Sequence, residues 1–187
     1  MWILPRPQQL DMQEGLFAVT PETRLVLAPE AREERLCARQ LQEEIQRFAG
    51  LSLQVICGEA RQGDVVLAIL GGSTEGYRLE ITPDSVAIAG NDPAGLFYGV
   101  QTLRQIVRQS GAMLPALSIQ DAPVFANRGF YHDITRGRTP TLAWLKHLAD
   151  EACFYKLNQL QLYVEHTYLF RDLTELWSTG EPLTAEE

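Results

Sequence analysis

Apolar positions recur with two periods along this chain, and the places where the period changes divide it into elements. Arg24 to Ala28 is a short apolar run that predicts a strand. Pro29 opens a stretch whose start is acidic at Glu30, Glu33 and Glu34, which suits the positive end of a helix dipole. Cys37, Leu41, Ile45 and Phe48 then recur every three or four residues, one buried helical face, and Gly50 stands where a left-handed cap is expected. Leu51 to Cys57 and Asp64 to Leu70 read as strands, the second broken by Gly71-Gly72. Tyr77 to Ile81 and Val86 to Ala89 alternate around the turn residues Pro83-Asp84-Ser85, which predicts a hairpin. Asp92 is a good N-cap and Pro93 a good first helical residue for a second helix, with Leu96, Val100, Leu103 and Val107 on its inner face. Gly95 and Gly99 lie on one side of that helix. Each glycine costs about 1 kcal/mol inside a helix, so the pair points to an element packed close to the backbone. Leu114 to Pro123 reads as a short strand and a linker.

A second unit follows. Arg128 to Thr135 reads as a strand, and Thr139-Pro140-Thr141 starts a helix. Leu142, Leu145, Leu148, Ala149 and Ala152 stripe that helix to about Lys156, and Leu157 to Glu165 is another strand. Strand, helix, strand in so short a span is a βαβ unit with parallel strands. The expected fold class is therefore an α+β domain over residues 1–123, a mixed or antiparallel sheet with two helices on it, followed at 124–187 by the first β-α-β unit of an incomplete barrel. Two parallel strands and one helix cannot close a core. Thr184 with Glu187 forms a capping box that announces another helix. The expectation is that these residues are the front part of a longer protein, and that residues 128–165 either self-associate through the uncovered strands or are disordered.

Composition narrows the function. The 187 residues carry a formal net charge of −8, which argues against a general binder of nucleic acid or of anionic membranes. The first residues show no secretory signal, and no apolar run approaches the roughly 20 residues of a membrane span. Cys37, Cys57 and Cys153 have no metal-ligand spacing and fit reduced thiols of a cytoplasmic protein. His132, Asp133, Glu165 and His166 are chemically able to bind a metal. Neighbours on a strand face opposite ways, so too few converge on one point, and neither metal nor cofactor is expected. Trp144 sits in a helical apolar pattern and is expected in the core. Trp177, in a loop with Tyr168 and Phe170, is the better platform for a sugar ring.

Two segments carry a resemblance. Gly95-Leu96-Phe97-Tyr98-Gly99-Val100-Gln101-Thr102-Leu103 resembles the second helix of the non-catalytic domain that precedes the barrel in bacterial β-N-acetylhexosaminidases of glycoside hydrolase family 20. Arg128-Gly129-Phe130-Tyr131-His132-Asp133-Ile134-Thr135-Arg136, continuing through Tyr155-Lys156-Leu157-Asn158-Gln159-Leu160-Gln161-Leu162, is similar to that family's first barrel strand and helix and its second strand. The tail Tyr163-Val164-Glu165-His166-Thr167 departs from the commonest members. The resemblance implies a terminal β-linked N-acetylhexosamine as substrate, hydrolysed with retention through its own acetamido oxygen. It places the Asp-Glu pair after the fourth barrel strand, beyond Glu187, so no catalytic residue is expected here and these residues alone should be inactive. Arg128 matches the family's arginine for sugar hydroxyls, the alternative being an ion pair at a domain junction. Asp133, Arg136, Glu165 and His166 are expected to line or support the sugar pocket, because barrel enzymes place their sites at the carboxyl ends of strands. Other readings are a carbohydrate- or protein-binding module, or another glycosidase such as an α-glucuronidase.

Overall fold

The computed structural model describes residues 1–72, 74–137, 139–172 and 182–186. They form two units, Met1–Val124 and Phe125–Glu187. In the first unit β1 (Gln9–Ala18), β2 (Arg24–Leu27), β3 (Gln54–Cys57), β4 (Val65–Ile69), β5 (Tyr77–Ile81), β6 (Val86–Gly90) and β7 (Met113–Asp121) make one sheet in the order β1-β7-β5-β6-β4-β2-β3. The β3-β2-β4-β6 half is parallel, and the β6-β5-β7-β1 half is antiparallel. Helices α1 (Arg35–Ala49) and α2 (Pro93–Ser110) pack on it. Leu25, Leu27, Leu67, Leu79 and Ile88 from the sheet meet Leu41, Leu96, Leu103 and Ile106 from the helices, all fully buried. Burial of each such side chain stabilises the fold by roughly 1.5–3 kcal/mol before entropy is counted.

Most local signals operate as the residues imply. The Asp92 carboxylate accepts from the Gly95 N–H at 2.7 Å, and Pro93 opens α2. Gly50 caps α1 at φ 73°. A Cβ at Gly99 would stand 2.5 Å from Ile88 Cγ2, and one at Gly95 would run into the Gly76 carbonyl. The close approach inferred from the two glycines is thus made by β6, β5 and the residue just before β5. Three features differ. Pro29 heads a 3-10 turn, Pro29–Ala31, and α1 begins only at Arg35. Phe48 is 38% exposed instead of buried, with the guanidiniums of Arg47 and Arg108 at 5.3 and 5.7 Å from its ring centroid. β1, absent from the sequence reading, is an edge strand on which only Phe17 is buried.

Polar groups inside this unit are matched. Asp64, fully buried, takes the Arg24 guanidinium in two bonds at 3.0 and 2.5 Å and the Arg61 N–H at 2.8 Å. Glu44 on α1 pairs with Arg104 at 2.8 Å and with Arg108, both on α2. The Tyr77 hydroxyl lies 2.7 Å from Thr102 Oγ1 and donates to Asp121 at 3.0 Å.

The second unit holds β8 (Gly129–Asp133), α3 (Leu142–Phe154) and β9 (Gln159–Tyr163), with β8 and β9 parallel. Thr141 caps α3 by accepting from the Trp144 N–H at 3.3 Å. Trp144 is 42% exposed, not core as its helical pattern implied; it lies against His132 with ring centroids 5.1 Å apart. Glu187 of the expected capping box lies outside the described residues. Leu183, just before the box, bridges Tyr168 in parallel.

Candidate functional site

Alternation along β8 sends neighbouring residues to opposite faces. His132 joins Phe130 and Trp144 on one face, where a cleft of about 280 Å³ is lined by His132, Pro140, Thr141 and Trp144. On the other face Asp133 sits in register with Tyr163 of β9, and Tyr131 lies 6.2 Å from the Tyr163 ring. Because the strands are parallel, their carboxyl ends lie side by side, and the segments leaving them carry Arg136 and Glu165.

Those groups form one hydrogen-bonded cluster. Asp133 Oδ1 accepts from the Thr135 hydroxyl at 2.7 Å and the Thr135 N–H at 2.8 Å, and Asp133 Oδ2 accepts from Arg136 at 2.9 Å. The other arm of the same guanidinium donates to Glu165 Oε1 at 3.1 Å. Glu165 Oε1 also accepts the Tyr163 hydroxyl at 2.5 Å, and Arg136 stacks over the Tyr163 ring at 5.2 Å. Thr135 and Arg136 hold the Asp133 carboxyl well below the ordinary carboxylate range. The Tyr163 hydroxyl, with Arg136, depresses Glu165, and the exposed His166 adds to this through its charge. The hydrogen bond to Glu165 in turn raises the Tyr163 phenol, and Asp133 raises Arg136.

The chemical consequence is a limit on role. A general acid must hold its proton near neutrality, which requires a raised carboxyl pKa. Asp133 and Glu165 are shifted the other way. The cluster can accept hydrogen bonds from hydroxyls through its two carboxylates and donate through Arg136, which is 65% exposed, but it is not built to protonate a leaving group.

Of the residues expected at the site, Asp133, Arg136 and Glu165 are together, with His166 next to Glu165. Arg128 lies before the opposite end of β8, five residues from Asp133, roughly 16 Å along an extended strand. Its guanidinium donates to the main-chain carbonyls of Lys156 at 2.9 Å and Phe125 at 2.5 Å. Its own N–H donates to Asn158 Oδ1 at 2.8 Å, so Arg128 fastens the start of β8 to the start of β9. Trp177 lies outside the described residues; its loop neighbours Tyr168 and Phe170 pack edge to face at 5.0 Å. Tyr163 and Thr135 are the members that sequence reasoning missed. Parallel pairing of Asp133 with Tyr163, two residues before Glu165, is the signal that could have found the tyrosine. Among the described residues no three of His, Cys, Asp and Glu gather as a metal site.

The first unit is thus a mixed sheet under two helices, and the second a βαβ unit with polar groups at its strand ends. Residues 1–122 match the sequence model of glycosyl hydrolase family 20, domain 2. The chain belongs to this family. It is 30% identical, over 95% of its length, to a β-hexosaminidase of Porphyromonas gingivalis, and 33% identical, over 87%, to a β-N-acetylhexosaminidase of Cellulomonas fimi. It spans 25% and 34% of the length of these two relatives. Among solved structures, a Streptomyces plicatus β-hexosaminidase variant in complex with GlcNAc superposes with a TM-score of 0.75 at 27% identity, covering 88% of this chain and 34% of that one. The family 20 β-N-acetylhexosaminidase of Streptomyces coelicolor A3(2), at 24% identity, shares the fold with a TM-score of 0.82 over 97% of this chain and 40% of its own.

Proposed function

We propose that the complete protein removes terminal β-linked N-acetylhexosamine from glycans or glycosides, with retention and by attack of the substrate's own acetamido oxygen. In this reading residues 125–187 are the beginning of a (β/α)8 barrel, and the general acid with its acetamido-orienting partner lies outside these 187 residues. The observation that carries it is the Asp133–Arg136–Glu165–Tyr163 cluster at the carboxyl ends of two parallel strands, where barrel enzymes bind substrate. Asp133 and Glu165 grip the guanidinium from two sides, so Arg136 presents a fixed donor array to sugar hydroxyls. Arg128 ties the start of β8 to main-chain carbonyls through two of its five guanidinium donors, and its expected part in holding sugar hydroxyls is tested by its alanine variant. The two depressed carboxylates fit hydroxyl binding and leave protonation to another residue.

The test is hydrolysis of a chromogenic N-acetyl-β-glucosaminide by the complete protein and by residues 1–187. Activity is expected in the first alone. Arg136→Ala and Asp133→Ala in the complete protein are expected to cut kcat/KM by about 10- to 100-fold, as for loss of a charged hydrogen bond to substrate. Arg128→Ala is expected to lower stability, and a rise in KM beyond that would assign it a contact with the sugar as well. Full activity in residues 1–187, or an inactive complete protein, would defeat the proposal. Phe130 and Tyr131, 42% and 56% exposed on the two faces of β8, are the contacts through which residues 1–187 are expected to self-associate, a concentration dependence read by sedimentation velocity.

A further inference from the structure

β3 is an outer strand of the seven-stranded sheet, and among the described residues it pairs on one side, with β2. In a parallel pair the N–H and C=O of one residue face the same neighbour, and those of the next residue face away. The Gly58 N–H donates to the Leu27 carbonyl at 3.2 Å, so Ile56 faces β2 as well, and the main-chain groups of Val55 and Cys57 face outward. Leu53 lies in the same outward series, and its carbonyl accepts from the Gln42 side chain of α1 at 2.6 Å. A helix side chain thus stands at that group where a neighbouring strand would. α1 connects two parallel strands and runs back antiparallel to them, so Arg39 and Arg35, one and two turns before Gln42, come level with Val55 and Cys57. These residues, with Leu27 and Ile56, line a groove of about 560 Å³. Arg35 and Arg39 are exposed, and among the described residues neither guanidinium has a hydrogen bond, ion pair or ring contact; Glu43, one turn on from Arg39, does not pair with it.

We propose that this groove is a docking site for an acidic extended segment of a partner protein, which adds to β3 as a further strand. Main-chain hydrogen bonds to Val55 and Cys57 set its register, and carboxylates on Arg35 and Arg39 select its charge. Four residues of helix advance about 6 Å and two residues of strand about 6.6 Å, so acidic side chains at alternate positions of the segment meet the two guanidiniums. The side chains between them fall on the opposite face of the sheet, beside the partly buried Ile56, which suits apolar residues there. Charge complementarity identifies the occupant. The chain as a whole carries −8, so an acidic segment is repelled by most of it and attracted at this groove. A strand edge guarded against pairing carries a charge, a proline or a bulge on the strand itself. β3 has none of these: Gln54-Val55-Ile56-Cys57 runs in unbroken register with β2. Its cations stand on the helix alongside, where they reject a basic strand and admit an acidic one.

Residues 1–187 are titrated at low ionic strength with a fluorescein-labelled peptide of alternating glutamate and valine, followed by fluorescence anisotropy. Saturable binding is expected, weakened about tenfold or more by Arg35→Glu with Arg39→Glu. Cys57→Pro, which removes one outward N–H at an edge where proline is tolerated, is expected to weaken it to a similar degree. Absence of saturable binding overturns the site. Equal binding of a peptide with the same glutamates and valines in separate blocks would show attraction by charge alone, and would overturn the added strand. Self-association of residues 1–187 that the two arginine substitutions abolish would make a second copy the occupant, and would overturn the assignment to an acidic partner. Hydrogen exchange on the unaltered protein keeps the test independent of whether the variants fold: saturating peptide should slow the Val55 and Cys57 amides about tenfold or more, and unchanged exchange there overturns the proposal.

Discussion

Asp64 shows what a single residue can decide. Its carboxylate is cut off from water, which by itself would raise its pKa, yet the hydrogen bonds from Arg24 and the Arg61 N–H, with the Arg24 charge, hold it below its ordinary value of 3.8. A depressed carboxyl contributes stability that is complete above the unfolded value and is lost as pH falls through the folded one. Asp64→Ala should therefore cost about 3 kcal/mol at pH 7, because it leaves Arg24 without its partner, and the loss should shrink toward pH 2; urea melts over that range measure both. Cys37 carries the opposite sign. Burial, with Glu34 nearby, pushes its thiol up to about 12, so its contribution is complete below the ordinary value of 9.0 and is lost as pH rises between 9 and 12. A thiol reagent at pH 8 should modify the exposed Cys57 in the native protein and reach Cys37 only on unfolding, which mass spectrometry of the labelled peptides resolves. The burial of Cys37 follows from its helical spacing, but the pairing of Asp64 cannot be read from its neighbours in sequence. Asp64 and Arg24 are 40 positions apart, and the pairing exists only because β2 and β4 are adjacent.

The elements were legible where short-range chemistry and long-range packing agree. α2 has a capping aspartate, a proline at its first turn and four inner positions at helical spacing, all of them fully buried. The β5–β6 hairpin likewise carries its turn and its alternation together. β1 failed the same reading for a physical reason. Leu10 and Met12 alternate as a strand should, yet both are exposed, and the register shift between Met12 and Leu16 moves Phe17 inward instead of Leu16. The site followed the same rule: Asp133, Arg136 and Glu165 could be placed at strand ends, while Tyr163 needed the pairing register. The two glycines of α2 make the element-scale prediction. Alanine is favoured over glycine in a helix by about 1 kcal/mol, but a Cβ at Gly99 meets the buried Ile88 and Tyr77 side chains, which can give way only by disturbing the core. At Gly95 it meets the Gly76 main chain, which cannot. Gly99→Ala should cost about 1 kcal/mol net and Gly95→Ala at least twice that, compared by chemical denaturation; equal effects would mean that the loop before β5 yields as readily as a side chain.

At the scale of the molecule the two units differ in what holds them. The first encloses a core fed by both helices and by most strands of its seven-stranded sheet. In the second, β8 and β9 are a two-stranded sheet, and among the described residues the buried apolar side chains are Ile134, Leu145 and Phe154. Two strands and a helix with three buried apolar anchors supply little of the hydrophobic burial that offsets roughly 1–2 kcal/mol of backbone entropy per residue. The Asp133–Arg136–Glu165 cluster adds little in its place, because Arg136 and Glu165 are exposed, Asp133 is only half-buried, and solvent and salt screen all three. A polypeptide of residues 1–124 should therefore fold cooperatively by itself, with a denaturation midpoint close to that of the main transition of residues 1–187. In the longer chain the amides of β8 and β9 should exchange long before those of β5 and β6. Protection of β8 and β9 equal to that of β5 and β6 would mean that the second unit is already stable with two strands. The hydrogen-bonded geometry of its carboxyl-end cluster, to which the proposed function assigns the sugar hydroxyls, would then be preorganised within these residues.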